Sequence, residues 1–381
     1  MVAFNLLGEP NQQLAEYASE LKKYCEDLEF WSLPFPWRSA RWWAGLACSP
    51  VLRHPYGPRT FWSPELGARW EQILRRHPGA LVQYDSIDLG LFANTATGFR
   101  KVLNHHNCES AMAHRRARRE PNPVKKGYLW LQARKIASLE GAVCHLFEVN
   151  TAVSELDARR LRRSNPKAHI HLVENGTDVT YFQPTDSSEV PRSLIFSGTL
   201  NWYPNISAIQ FFVREIWPLI KQQCPDVRLY VAGNKPSDSL CRWLKQDSNI
   251  VVVPSPDDIR PWIERSTVFV CPFLDGGGTK LKILDAMAMA KPVVTTTTGC
   301  EGLRVTHREN ILVADNPRDF AREVICALDN EPLRRQLGTA GRLLVERHYG
   351  WELIACQLEQ AYQCALTGGS CDREVTEPIT G

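Results

Sequence analysis

Residues 273–294 read FLDGGGTKLKILDAMAMAKPVV. Gly276, Gly277 and Gly278 stand in a row, Thr279 and Lys280 follow, and an apolar-periodic segment then carries a single carboxylate, Asp285. Glycine lets a loop take positive φ and lets a ligand come close to the backbone. A helix opening directly after such a loop offers unpaired N–H groups and the positive end of its dipole, which suits a phosphate. Lys280 falls in the first turn, where a cation is mildly unfavourable for the helix alone, so an anion that meets it would explain its presence. Asp285 cannot favour a phosphate, but it can accept two hydroxyl hydrogen bonds from a ribose. Together these residues read as a site for a nucleoside diphosphate. A loop that merely needs left-handed residues, followed by a solvated lysine, accounts for the glycines equally well. The G-x-x-x-x-G-K-[ST] spacing is absent, which disfavours ATPase chemistry.

The elements around this stretch form an alternating pattern. Short β-branched runs at 193–198, 227–233, 250–255, 268–273, 292–298 and 311–316 are separated by helical patterns such as 206–223 and 257–266. Strand then helix at this spacing means βαβ units and a parallel, doubly wound sheet, whose ligands bind beyond the carboxyl ends of the strands. The first half is less regular. VAFNLLG, LEFWSLP, GALVQYDS and RKVLNHHN read as strands, AHIHLVENGTD as a strand ending in a turn, and 11–28 and 127–149 as helices. With 381 residues, two domains are expected. The first spans 1–182 and is Rossmann-like. A Pro- and Ser-rich linker at 182–193 leads to a second Rossmann-like domain over 193–350. A helix at 351–366 is expected to return toward the first domain, and 367–381 reads as a disordered tail.

Composition narrows the class. Hydrophobic residues make up 44% and charged residues 23%, which are globular values. The net charge of +3 gives no strong field for a polyanion, and nucleic-acid binding is a poor fit. Apolar stretches are short and broken, so no membrane span is expected, and the N-terminus lacks the basic region of a secretory signal. The twelve cysteines form no C-x-x-C pair, so zinc is not expected; they read as reduced, mostly buried thiols. Trp31, Trp37, Trp42, Trp43, Trp62 and Trp70 crowd the first 70 residues, and FPWRSARWWAGLACSPVL mixes aromatics with Arg38 and Arg41. Interfacial helices have this composition, and so does ordinary packing. The basic run at 114–126 reads either as a solvated helix face or as a partner for anionic headgroups.

Several segments in one order carry a resemblance. PFLDGGGTKLKILDAMAMAKPVVTT resembles the donor-binding segment of GT-B glycosyltransferases of the retaining family 4 group, nearest to bacterial exopolysaccharide-type sugar transferases. FSGTLNWYPNISAIQFFVREIWPLI resembles the opening of their C-terminal domain, VENGTDVTYFQP their interdomain segment, and LNHHNCES with the residues after it their His-Asn-x-Glu region. The likeness covers roughly residues 80 to 366. It implies a GT-B fold, two Rossmann-like doubly wound domains facing a crevice. It also implies a nucleoside-diphosphate sugar, UDP- or GDP-linked, as co-substrate, with no metal and no other cofactor.

Residue by residue, the resemblance makes Gly276, Gly277, Gly278, Thr279 and Lys280 the holders of the diphosphate. Of the family's E-x7-E pair the second member matches Asp285 and the first falls on Gly277. Gly198 and Thr199 match the loop facing the diphosphate. The Arg and Lys that usually follow that loop are missing from SGTLNWYPN, which throws neutralisation onto Lys280. Glu301 and Gly302 fall at the crevice rim. His106 matches the histidine that touches the donor sugar, with His105 as its competitor, and Glu109 on the acceptor side orients it or binds a hydroxyl. Ala290 stands where glycine is usual. The implied mechanism keeps the anomeric configuration: the acceptor hydroxyl attacks on the leaving-group face and a donor phosphate oxygen takes its proton. The first domain reads as N-terminally shortened, because residue 1 already sits in what resembles the family's second strand.

The expected function is retaining hexosyl transfer to a glycan or lipid-linked acceptor in polysaccharide biosynthesis, in the cytoplasm, with peripheral contact at the inner membrane face as an option. Two alternatives stand beside it. One is a catalytically inactive relative that binds a nucleotide sugar or a partner protein. The other is a nucleotide-sugar epimerase, which needs acid/base carboxylates that the sequence does not place.

Overall fold

A computed structural model describes residues 1–5, 11–33, 39–185 and 189–368. The chain divides into two compact units. One comprises Met1–Ala152, Ala158–His171 and Ala361–Gly381; the other comprises Val153–Asp157 and Leu172–Gln360. The segment between His171 and the proline-rich stretch therefore groups with the second unit. Residues 186–188 of that stretch and the tail from 369 lie outside the described residues.

In the first unit, strands β1 (Val2–Asn5) and β2 (Glu29–Ser32) pair in parallel as a separate ribbon. Strands β3 (Leu81–Tyr84), β4 (Arg100–His105), β5 (Val149–Ala152) and β6 (Ile170–Leu172) form a four-stranded sheet in that order. Both sheets contribute to one core: Trp31 of β2 is buried with Val82, Tyr84, Leu103 and Phe92, and Val2 and Phe4 pack against it. Phe4 and Trp31 meet edge to face at 5.7 Å, a favoured aromatic geometry. Of the amino-terminal tryptophans, Trp31 and Trp70 serve this core, whereas Trp43 is 57% exposed. Trp37, Arg38 and the Arg41 side chain lie outside the described residues.

The helix expected over 127–149 is corrected. It runs Pro123–Val143, opened by Asn122, whose side chain accepts from Lys125 N–H, and a single turn at Cys144–Leu146 leads into β5. β5 is buried along its whole length and pairs with β4. A short strand with no exposed face shows no alternation, so apolar periodicity cannot separate it from the end of a helix.

The second unit holds a six-stranded, fully parallel sheet. Its strands are β7 (Ser193–Ser197), β8 (Arg228–Gly233), β9 (Ile250–Pro254), β10 (Val268–Cys271), β11 (Val293–Thr295) and β12 (Leu312–Val313), in the order β12-β11-β10-β7-β8-β9. All five residues of β7 and all four of β10 are buried, as a sheet covered on both faces requires. The chain starts in the middle at β7, winds out to β9, and returns to β10 on the other side of β7. That reversal between β7 and β10 is the topological switch point, where open α/β sheets leave a crevice. The long helix after β7 is continuous from Tyr203 to Gln223, with a π-turn at Phe212–Ile216.

Candidate active site

The glycine run leaves β10 and the Gly198–Thr199 turn leaves β7, so the two loops flank the switch point. Gly276 has φ 118° and Gly278 φ 60°, conformations in which a side chain would be strained. Gly276 lies against Lys280 and Pro204, at the start of the helix that follows the other loop. The helix Leu281–Ala288 then begins with Lys280 as its cap. Lys280 is only 9% exposed. Its Nζ turns back and donates to Gly277 O at 3.0 Å and Gly278 O at 2.9 Å. The lysine thus fastens the loop that its charge accompanies.

Close approach fixes the other loop. A Cβ on Gly233, at the end of β8, would stand 1.7 Å from Gly198 O. Gly198 N–H donates to Ala232 O at 3.1 Å and Leu200 N–H to Asn234 O at 2.7 Å. Between them, Thr199 N–H has no partner among the described residues. Gly302, with φ 85°, packs against Ser154 and the Thr279 methyl group. Asn175 Nδ2 donates to Thr279 Oγ1 at 2.6 Å. The second unit therefore brings Gly198, Thr199, the glycine run, Lys280, Asp285, Glu301 and Gly302 to the carboxyl ends of β7, β10 and β11.

Asp285 lies one turn inside the helix Leu281–Ala288, and Thr177 Oγ1 donates to its Oδ1 at 2.6 Å. Burial pushes its carboxyl up to about 6, against the Thr177 bond and the nearby Lys282. Lys282 is a cation that the sequence reading passed over. Its Nζ donates to Ser197 O at 2.7 Å and Asn205 Oδ1 at 2.8 Å, directly against Gly198. The signal available was its position, two residues after Lys280; its direction depends on the packing of the helix against β7.

In the first unit the adjacent histidines separate by environment. His105 ends β4, is 1% exposed, and its Nε2 lies 3.2 Å from Asn150 Oδ1, as a core residue does. His106 follows the strand with half its side chain exposed and pairs with Asp85 at 3.3 Å. Asp85 also accepts from Asn104, which accepts from Thr151. The hydrogen bond to Asp85 raises the His106 pKa, and burial opposes it. Asp85, unforeseen in the sequence, holds His106, while Glu109 accepts from Asn107 Nδ2 at 2.9 Å and its charge also raises the His106 pKa. His106 and Glu109 belong to one unit, and Lys280 and Asp285 to the other.

Two cavities are lined by other residues. One of about 730 Å³ in the first unit is lined by Trp31, Trp62, Arg59 and Arg69. One of about 480 Å³ in the second is lined by Trp217, Trp243 and Ile250, the first residue of β9 and so at the opposite end of the sheet from the glycine run. Among the described residues no cluster of metal-ligating side chains occurs, and no helix is long and apolar enough to cross a membrane.

Comparison with known proteins finds a family model that matches part of the second unit. Residues 191–330 match the model of the family glycosyl transferases group 1. The match contains the loops after β7, β10 and β11 and stops short of His106. A GDP-mannose-dependent monoacylated alpha-(1-6)-phosphatidylinositol monomannoside mannosyltransferase of Corynebacterium glutamicum is 26% identical over 238 residues, 57% of this chain and 62% of that protein. An uncharacterized 44.6 kDa protein in the cps region of Klebsiella pneumoniae is 29% identical over 141 residues, 35% of this chain. The chain thus spans 36% and 62% of the lengths of these two relatives. Among solved structures, sucrose-phosphate synthase from Thermosynechococcus elongatus superposes with a TM-score of 0.68 at 15% identity, covering 97% of this chain and 99% of that one. Anabaena HepE, solved with UDP, gives 0.66 at 11% identity, covering 95% and 98%. These likenesses show the fold. The chain has the parallel α/β fold of GT-B glycosyltransferases, and its residues 191–330 are similar to the glycosyl transferases group 1 family.

Proposed function

We propose that the protein is a retaining hexosyltransferase that moves a sugar from a UDP- or GDP-sugar to a glycan or lipid-linked acceptor. The observation that carries this reading is the meeting of the Gly198–Thr199 turn with the glycine run at the switch point, Lys280 folded over the run's carbonyls. In the reaction, Thr199 N–H, the amides after the run and Lys280 take up the charge of the leaving diphosphate, in place of a metal ion, as preorganised donors do. Asp285 accepts ribose hydroxyls. His106, held by Asp85, meets the sugar. The acceptor hydroxyl attacks on the face the diphosphate leaves, a donor phosphate oxygen accepts its proton, and no protein nucleophile takes part. The relatives support the reading: one is named as GDP-mannose-dependent, and HepE was solved with UDP-glucose.

The finer setting is also proposed: polysaccharide biosynthesis, in the cytoplasm, as a member of the family 4 exopolysaccharide-type subgroup. Among the described residues ten cysteines are free thiols, which fits a reducing compartment, while Cys364 is disulfide-bonded. Peripheral contact with a membrane is supported by exposed Trp43, Val51 and Val124, the last beside Lys125 and Lys126. A second reading, binding without turnover, is favoured by the Thr177 hydroxyl that already occupies Asp285 Oδ1.

Incubation with UDP-glucose and with GDP-mannose, with and without EDTA, tests the reading. Release of nucleoside diphosphate that persists in EDTA, with an α-configured sugar product by NMR, is expected. An inverted product would refute retention, and loss of activity in EDTA would refute metal independence. Nucleotide binding with no turnover of any nucleotide sugar would favour the second reading.

A further inference from the structure

This inference rests on the donor-site reading above. We propose that Lys282 is a positioning residue for the donor diphosphate, tying the end of β7 to the Gly198–Thr199 turn and supplying beside that turn the positive charge its own sequence lacks.

Three hydrogen bonds build the tie. Lys282 Nζ donates to Ser197 O and to Asn205 Oδ1, and Asn205 Nδ2 donates to Thr199 O at 2.8 Å. The carbonyls before and after Gly198 are thereby held, and Thr199 N–H lies between residues whose own amides are anchored to β8 and the segment after it. The lysine lies directly against the turn, since a Cβ on Gly198 would stand 2.3 Å from Nζ and 3.0 Å from Asn205 Nδ2, while the φ of 152° there favours glycine in its own right.

A tie alone does not require a full charge. The ammonium lies 4.9 Å from the Phe273 ring centroid and 5.3 Å from that of Phe196. Among the described residues no carboxylate lies within ion-pair distance of it. A cation desolvated without a paired anion is costly, and a diphosphate at the turn would provide the anion. The family's cation after the β7 loop is missing from SGTLNWYPN, and Lys282 brings one to the same turn from the helix after β10.

The charge state offers a readout that a merely structural lysine would not move. Burial pushes the Lys282 ammonium down to about 8; Cys271 and Asp285 act upward on it and Lys280 downward. A bound diphosphate raises that value again, so binding near pH 8 takes up about half a proton where the free lysine is half protonated.

The test is calorimetric titration of the full chain with UDP and with GDP at pH 7 and pH 8, each in two buffers of different ionisation enthalpy. Wild type, Lys282→Met and Lys282→Arg are compared. Expected are proton uptake at pH 8 in the wild type, none in either variant, at least tenfold weaker binding in Lys282→Met, and weakening of less than tenfold in Lys282→Arg, whose charge does not titrate. Lys282→Arg keeps the test open if Lys282→Met fails to fold. Wild-type binding without proton uptake, or the same uptake in the variants, overturns the role of Lys282 and leaves the donor site standing. Failure of the folded wild type to bind either nucleotide overturns the donor site and this inference together.

Discussion

Asp285 and His106 carry opposite electrostatic signatures, and each gives a measurable consequence. Burial raises the Asp285 carboxyl to about 6. An acid whose folded pKa exceeds its unfolded value stabilises the fold by being protonated, so this contribution grows as pH falls from about 6 towards 4 and is absent at pH 7. Nucleotide binding should move the other way, because a protonated Asp285 accepts ribose hydroxyls less well. Affinity for UDP or GDP is expected to fall below pH 6 more steeply in the wild type than in Asp285→Asn. Equal slopes would leave only the titration of the phosphate itself. For His106 the partner is Asp85, and Asp85→Asn should lower the histidine pKa, followed by NMR of the ring proton, and cut turnover while nucleotide affinity stays nearly intact. An unchanged histidine titration would mean that the 3.3 Å pair does not govern it. The residues HHNCES alone do not choose between His105 and His106; only the resemblance favours His106. Burial of one against Asn150 and exposure of the other depend on where β4 stops, and sequence periodicity does not locate strand ends to one residue.

At the scale of elements, the parallel sheet of the second unit was legible because each strand is an apolar run punctuated by a helix. β5 was not, because it is short, wholly buried and joined to a helix by a single turn. Ala290 shows a different limit. It stands where the resemblance expects glycine, and its φ of 52° places it in the left-handed region just after the helix Leu281–Ala288. The consequence is backbone strain, since the helix ends in a conformation that glycine takes freely and alanine at a cost of about 1 kcal/mol. Ala290→Gly is therefore expected to raise the melting temperature by roughly 2–4 °C. A fall would mean that the methyl group contributes more by packing than the backbone loses.

For the whole molecule, the two units carry different parts of the proposed chemistry. The group 1 family match lies within the second unit. A nucleotide held by that unit alone should stabilise it by mass action, about 2.7 kcal/mol at a hundredfold excess over Kd. For a unit of this size the shift is roughly 5–10 °C. Scanning calorimetry with UDP or GDP is expected to move one transition by that amount. Equal shifts in two resolved transitions would show that the first unit also contributes binding energy. The double α/β architecture could be read from length and alternation alone, whereas the grouping of Val153–Asp157 and of the residues from Leu172 onward with the second unit could not, since it follows from contacts distant in sequence.

In the proposed function the glycine run and Lys280 hold a diphosphate. Its most direct test compares the affinities of the nucleoside and its diphosphate, uridine with UDP or guanosine with GDP, in the wild type and in Lys280→Ala. At least a tenfold loss is expected for the diphosphate, with the nucleoside nearly unchanged. Equal loss for both, or none for either, would mean that Lys280 serves only to fasten its own loop.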